Sequence, residues 1–317
     1  MSKNALFAVA AGVASAVAAM AFVAGVPGAM LLIYAGPLPV MLAGLGFGFQ
    51  QALLAAATGT LASALAIGGH GALLYAVGHA LPALLVVGLA LRSWPENGPE
   101  TRRWYPHGHI AAWLALLAAA LLAAAGIWLA GDDGFRATVN DHITRGLGAL
   151  LPQLGEPDRQ RLLAGMSGLF PGWIGTSWAI MAVVNAIAAE TILARSDRAI
   201  RPKPAWGEDL SLPDWLSWAL VGAAVLALIG TLIGPGDVGY MGRNLALVLA
   251  LPYFLLGLAV VHGLVHRTQQ PRAILVGFYV VLFVSAWALL AVAAIGVLEH
   301  WIGLRSQMPG GPTKENV

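Results

Sequence analysis

Formal charge is what this chain lacks first. Between Lys3 and Arg92 there is no Asp, Glu, Lys or Arg, a run of 88 residues made mostly of Ala, Leu, Gly and Val. A soluble domain of that size cannot keep its surface hydrated with so few charges. A bilayer-spanning helix needs about 20 apolar residues, so the run has room for about four spans joined by short turns. Cysteine is also absent, which excludes disulfides, thiolate metal sites and Cys nucleophiles. There is no basic block of the kind that tracks a phosphate backbone. The net charge is only +2, so neither the balance nor its distribution points to nucleic acid.

The composition that remains agrees with this picture. The chain has 317 residues, 59% of them hydrophobic and 10% charged, with a mean hydropathy of +0.77. Average soluble domains are roughly 25% charged. No water satisfies backbone groups inside lipid, so spanning segments are helices or strands of a closed barrel. The apolar runs here are continuous, not alternating, which predicts helices. The expected fold class is all-α, a polytopic membrane helix bundle of 8–9 spans in one membrane domain over 1–317.

Nine segments are expected: Ala5–Val26, Ala29–Gly46, Phe49–Ala66, Gly71–Leu91, Ile110–Ala130, Gly168–Ala194, Trp215–Ile233, Asn244–His266 and Ala273–Leu298. The second is short and holds Pro37 and Pro39, so a kinked or re-entrant piece is an alternative to a full span. Residues 1–91 form the charge-free four-segment unit. Residues 131–167 form an external amphipathic insert, because Phe135, Val139, Ile143, Leu147 and Leu150 recur near a helical period. Leu162, Leu163, Met166 and Phe170 do so in a second piece. Such helices lie on a membrane face or cap a bundle; the insert is packing filler over the bundle mouth or a lid over a site. The tail 306–317 is expected to be disordered. Lys and Arg are denser in the short loops that follow the fourth and sixth segments. That bias predicts a cytoplasmic amino terminus and, with nine spans, a carboxyl terminus outside. The expected location is the bacterial cytoplasmic (inner) membrane.

Polar side chains at membrane depth are costly and are the first place to look for function. His79 lies in the fourth segment, Asn185 and Glu190 in the sixth, and Arg243 with Asn244 opens the eighth. Each has two readings. His79 either hydrogen-bonds between helices or meets a ligand. Glu190 either snorkels to the surface or is buried and paired, where it is a proton-coupling candidate. Asn244 either caps its helix or lines a site. His262 and His266 stand one turn apart, at metal-pair spacing or at an interface, and no metal is assigned. By depth, the ligand-binding candidates are Tyr34, Tyr75, His79, Trp178, Arg243 and Asn244, a set of aromatic walls with a few polar groups. Small residues at Ala10, Ala14 and Ala18 permit close helix approach. No Walker loop, HExxH or GxSxG is present. No catalytic residue and no cofactor is assigned, and enzymatic activity is not the favoured reading.

Several segments carry a resemblance. Pro37-Leu38-Pro39-Val40 is followed by Gly44 and Gly46. Later come Asn244-Leu245, Leu251-Pro252-Tyr253 leading to Gly257-Leu258-Ala259-Val260-Val261, and a closing Gly296–Arg305 with Glu299, Trp301 and Arg305. In these the chain resembles the YybS-like family of predicted bacterial membrane proteins, whose function is unknown. The first half also resembles the S components of energy-coupling-factor vitamin transporters. That resemblance implies an outward-opening pocket for a small-molecule ligand, and a transmembrane coupling subunit with separate ATPase chains. The extra helices and the external insert depart from the S-component pattern. A non-catalytic membrane scaffold is the alternative, and a lipid-directed membrane enzyme a third reading.

The orientation has a direct test, since the chain offers a cysteine-free background. Ser93→Cys and Asp197→Cys are expected to resist an impermeant thiol reagent in intact cells, and Asp141→Cys to react. The reverse pattern would invert the topology.

Overall fold

A computed structural model gives the fold. It describes residues 2–21, 27–96, 101–130, 134–148, 155–204, 207, 209–234 and 236–305; the expected tail 306–317 lies outside them. The chain divides into two compact units, one of residues 1–114 with 178–209, the other of 115–177 with 210–317. Among the described residues, seven helices are long and apolar enough to cross a membrane, eight if one bent pair counts as a span. The fold is an all-α polytopic membrane bundle, as the continuous apolar runs require.

The first unit opens with α1 (Lys3–Met20), α2 (Ala29–Tyr34), α3 (Pro37–Phe47) and α4 (Phe49–Tyr75). A π-turn over Ala76–Ala80 leads into α5 (Leu81–Ala90). From Phe49 to Ala90 the helices follow one another over 42 residues. At 1.5 Å per residue that is roughly twice the ~30 Å hydrocarbon thickness. Ile67 and Gly68 leave helical geometry inside it, Gly68 with φ +75°. This break falls in the gap expected between the third and fourth segments. Gly48, at φ +101°, separates α3 from α4; an L side chain there would be strained.

Apolar surface alone gives helices no reason to associate inside lipid, so close backbone approach does much of the packing. α1 packs on α4 through buried Ala8, Ala11, Gly12, Ser15 and Ala16. A Cβ on Gly12 would collide with the Ala55 carbonyl. The strip Ala10, Ala14, Ala18 is not the one used: Ala10 and Ala14 are exposed. Alanine is so frequent here that periodicity alone does not choose between neighbouring faces. After α5, the segment read as a loop holds a two-stranded antiparallel pair, β1 (Ser93–Pro95) with β2 (Arg102–Trp104), Trp94 opposite Arg103.

α6 (His107–Leu129) and α9 (Phe170–Arg195) each supply residues to both units. The second unit holds α7 (Phe135–Gly148) and α8 (Glu156–Ser167), then α10 (Trp215–Ile233), α11 (Asp237–Val265), α12 (Pro271–Val284) and α13 (Ala286–Ile302). α10 and α11 are antiparallel neighbours in near-contact at their glycines: Gly230 meets Gly239, and Gly242 meets Ala227. α11 starts at Asp237, about two turns before the expected Asn244. The Asp237 carboxylate accepts from the Phe135 and Arg136 backbone N–H groups at 2.9 and 3.0 Å, capping α7. That tie anchors the start of the insert and satisfies two first-turn amides.

One expectation fails in the last helices. Ala273–Leu298 is not one straight span, because Ser285 leaves helical geometry and α12 and α13 meet at a 115° bend. α13 runs antiparallel to α11, with Gly257 against Val292 and Gly296 against the Tyr253 carbonyl. The start of α10 meets the same stretch of α11, Ser217 Oγ lying 3.0 Å from Tyr253 Oη, so the end of α13 reaches the residues around the start of α10. There Arg305 Nε donates to Glu299 Oε1 at 2.7 Å, the Arg305 N–H to Oε2 at 2.9 Å, and Nη2 to the Leu210 carbonyl at 2.6 Å. Trp301 Nε1 donates to Ser217 Oγ at 3.4 Å beside it.

Both members of the Glu299–Arg305 pair are buried. Removing one partner leaves an uncompensated buried charge, which costs about 3–5 kcal/mol. Arg305→Ala is expected to lower resistance to chemical unfolding in detergent by that order, and Glu299→Ala with Arg305→Ala to recover part of it. A double variant no better than the single would mean the pair holds nothing.

Candidate functional site

The most unusual backbone of the first unit is the α2–α3 break. Pro37 and Pro39 have no N–H, so the carbonyls four residues back lose their helical donors. The turn tightens in response: Gly36 N–H donates to Ile33 O at 3.0 Å and Leu38 N–H to Ala35 O at 3.1 Å. Three carbonyls are then met by side chains from other helices. Asn185 Nδ2 donates to Tyr34 O at 2.6 Å, and also to Met181 O at 2.7 Å. Ser15 Oγ donates to Gly36 O at 2.6 Å. His79 Nε2 lies 3.2 Å from Ile33 O, and since a carbonyl only accepts, that nitrogen carries the proton. Tyr75 Oη donates to Ser15 Oγ at 2.7 Å, behind the first contact.

His79 sits in the π-turn, a helix defect often found at functional sites. Its ring stacks on Tyr75, with centroids 5.7 Å apart and planes 14° apart. A Cβ on Gly36 would overlap that ring, so only glycine lets the imidazole reach the break. Trp178 Nε1 donates to Val77 O, inside the same π-turn, at 3.2 Å. His79 Nδ1 is buried and has no hydrogen-bond partner among the described residues. A buried acceptor without a donor calls for an explanation, such as a ligand or an ordered water.

Of the six ligand-binding candidates, Tyr34, Tyr75, His79 and Trp178 lie in this unit, and hydrogen bonds or stacking tie all four to the break or its π-turn. Tyr34 takes part through its carbonyl; its residue is 40% exposed. Arg243 and Asn244 belong to the second unit. Asn244 is fully buried there: Oδ1 accepts from Gly172 N–H at 2.7 Å, and Nδ2 donates to Gly168 O at 3.1 Å and Tyr240 O at 2.8 Å. Oδ1 and one amide hydrogen hold the start of α9, and the other amide hydrogen bonds back within α11 to Tyr240. Tyr240 Oη donates to Ser167 O at 2.8 Å and joins that clamp. Sequence reasoning missed Ser15 and the Asn185 contact to Tyr34. The signal was the Pro-Leu-Pro itself, which announces carbonyls that need donors.

A second polar cluster lies at the other end of α5. Glu190 does not reach the surface: it is buried, with Oε1 3.5 Å from Arg201 Nε. Arg201, read as a solvated loop residue, is equally buried and donates from Nη1 to Ala90 O at 3.3 Å. Burial lowers the Arg201 guanidinium from its ordinary value, and the Glu190 charge opposes that shift. Glu190, His107, Val86, Ala90 and Val183 line a cavity of about 10 Å³, roughly the room for one water. His262, the metal-pair alternative, has both ring nitrogens engaged, Nδ1 with Leu258 O at 2.8 Å and Nε2 with Tyr279 Oη at 3.2 Å.

The model of a family described as "Predicted membrane protein (DUF2232)" matches residues 13–299. The chain belongs to this family. Neither the curated proteins nor the solved structures give a match. The DUF2232 match contains every residue of the α2–α3 break and its cage, and the Glu190–Arg201 pair. It supplies no activity, so the chemistry of this DUF2232 protein has to be argued from these two clusters.

The cage predicts an order of effects. Asn185→Ala removes the donor to Tyr34 O and is expected to cost about 1–3 kcal/mol of stability. Tyr75→Phe leaves Ser15 bonded to Gly36 O and is expected to cost about 0.6 kcal/mol, the typical worth of a side-chain bond between membrane helices. Unfolding in detergent measures both, and the opposite order would remove the cage from the account of the break.

Proposed function

We propose that this DUF2232 protein binds a small solute at the α2–α3 break, with His79, Tyr75, Trp178 and Tyr34 as the first residues to test. The observation that carries this reading is the buried His79 Nδ1, an acceptor lone pair with no donor among the described residues. It sits in a π-turn beside a broken helix. Broken helices at membrane depth are the recurring way in which transporters present backbone and side-chain polar groups to cargo. The class of solute that fits is a neutral or cationic molecule with an N–H or O–H donor, because the unsatisfied group accepts. Uptake in the manner of a transporter S component, from a bacterial inner membrane, follows from the sequence resemblance. In that arrangement the exposed Ala10 and Ala14 side of α1 receives a coupling subunit. Glu190, with Arg201 as counter-charge and a water-sized space beside it, is the proton-coupling group of the proposal.

A scaffold role is the second reading, and one observation favours it: the carbonyls of Ile33, Tyr34 and Gly36 at the break are already met by His79, Asn185 and Ser15. Native mass spectrometry of gently purified protein separates the two. The solute reading expects a co-purifying small molecule in the wild type, and its occupancy reduced at least tenfold in His79→Phe, a loss of about 1.4 kcal/mol or more. A wild-type protein without bound molecules, or a His79→Phe variant with the same load, supports the scaffold.

A further inference from the structure

Among the described residues, α12 is an apolar helix with no buried residue. Phe283 is 93% exposed, Val284 78%, and Trp287 just past the bend 80%. Its 14 residues reach about 21 Å at 1.5 Å each, too short for the ~30 Å core. It is also set crosswise. α13 runs antiparallel to α11, and α12 turns away from α13 by 115°. Tyr279, midway along α12, meets His262 one turn before the end of α11. α12 thus lies across the α11–α13 pair at the level where α11 ends, a level it shares with the exposed His266, Arg267 and Arg272.

Charge says what covers it. From Val238 to Leu298 there is no Asp or Glu, while Arg267 and Arg272 flank the start of α12 and His266 stands beside them. All three are exposed. A basic cluster beside an apolar helix in the boundary plane matches an anionic lipid surface, phosphate to guanidinium and acyl chain to Val276, Val280 and Phe283. Trp287 and Tyr279 are the aromatic type that settles at headgroup depth.

We propose that α12 is an interfacial helix lying in the leaflet at the end of α11, and that Arg267 and Arg272 hold anionic phospholipid headgroups there. The inference does not depend on solute binding at His79.

The test uses the full chain. Native mass spectrometry with equal amounts of phosphatidylglycerol and phosphatidylcholine is expected to show retention of phosphatidylglycerol. Each of Arg267→Gln and Arg272→Gln is expected to lower that retention about fivefold and leave phosphatidylcholine unchanged. Equal retention by wild type and the double variant overturns the proposal. So does displacement of the lipid by millimolar inorganic phosphate, which would mark a soluble-anion site. A second arm needs no change at the arginines. Phe283→Cys carrying an environment-sensitive fluorophore, in vesicles of the two lipids, is expected to be quenched more by shallow nitroxide lipids than by deep ones. Stronger quenching by deep nitroxides would mean that α12 threads the core. No quenching by either, with a dimer in the native spectrum, would mean that a second copy covers it.

Discussion

Inside hydrocarbon every peptide N–H and C=O has to find a partner within the protein, and this constraint places the polar side chains of the first unit. The sequence Gly36-Pro37-Leu38-Pro39 breaks a helix where no water can repair it. Ser15 on α1, His79 in the π-turn and Asn185 on α9 converge on three carbonyls of this break. Glycine at position 36 is a second consequence: the imidazole lies where any Cβ would be. Trp178 extends the same logic to Val77, a carbonyl of the π-turn itself. What distinguishes His79 from the other cage members is its second nitrogen, which the packing leaves over.

Charge is handled by an equally economical rule. Two carboxylates, Glu190 and Glu299, are buried, and each has an arginine against it from a segment outside the spans. In both cases the arginine also donates to a backbone carbonyl, Ala90 for Arg201 and Leu210 for Arg305. A guanidinium has five N–H donors in a fixed fork, so one residue can neutralise a buried acid and cap a chain end together. The two pairs differ in geometry. Glu299–Arg305 is short and shares both carboxylate oxygens, as a structural clasp should. Glu190–Arg201 is longer and borders a small cavity, which leaves room for water to reach the acid.

The continuous apolar runs were enough to read the all-α bundle and to place most helix limits, because hydrophobic length and glycine position are local properties. Gly48 and the gap around Ile67–Gly68 were legible for that reason. The bend at Ser285 was not, since Val284-Ser285-Ala286 carries no proline or glycine to announce it. The π-turn was equally silent, because Ala-Val-Gly-His-Ala is compatible with an ordinary helix. The pairing of Arg201 with Glu190 was not legible either, because one lies in a loop and the other in a span, and only the fold brings them together.

Sequence by itself determined that the protein lives in a bilayer, that it is helical, and which few residues are too polar for their depth. Those are consequences of transfer free energy and backbone satisfaction, which depend on composition and order along the chain. Only tertiary structure decided which polar groups meet. Asn244 became a clamp on the start of α9, the carboxyl-terminal end folded back to Leu210, and Tyr75, His79 and Trp178 gathered at the broken helix. Partners separated by 60 to 101 positions in the chain cannot be paired by any local pattern, because the contact exists only once the helices between them have packed.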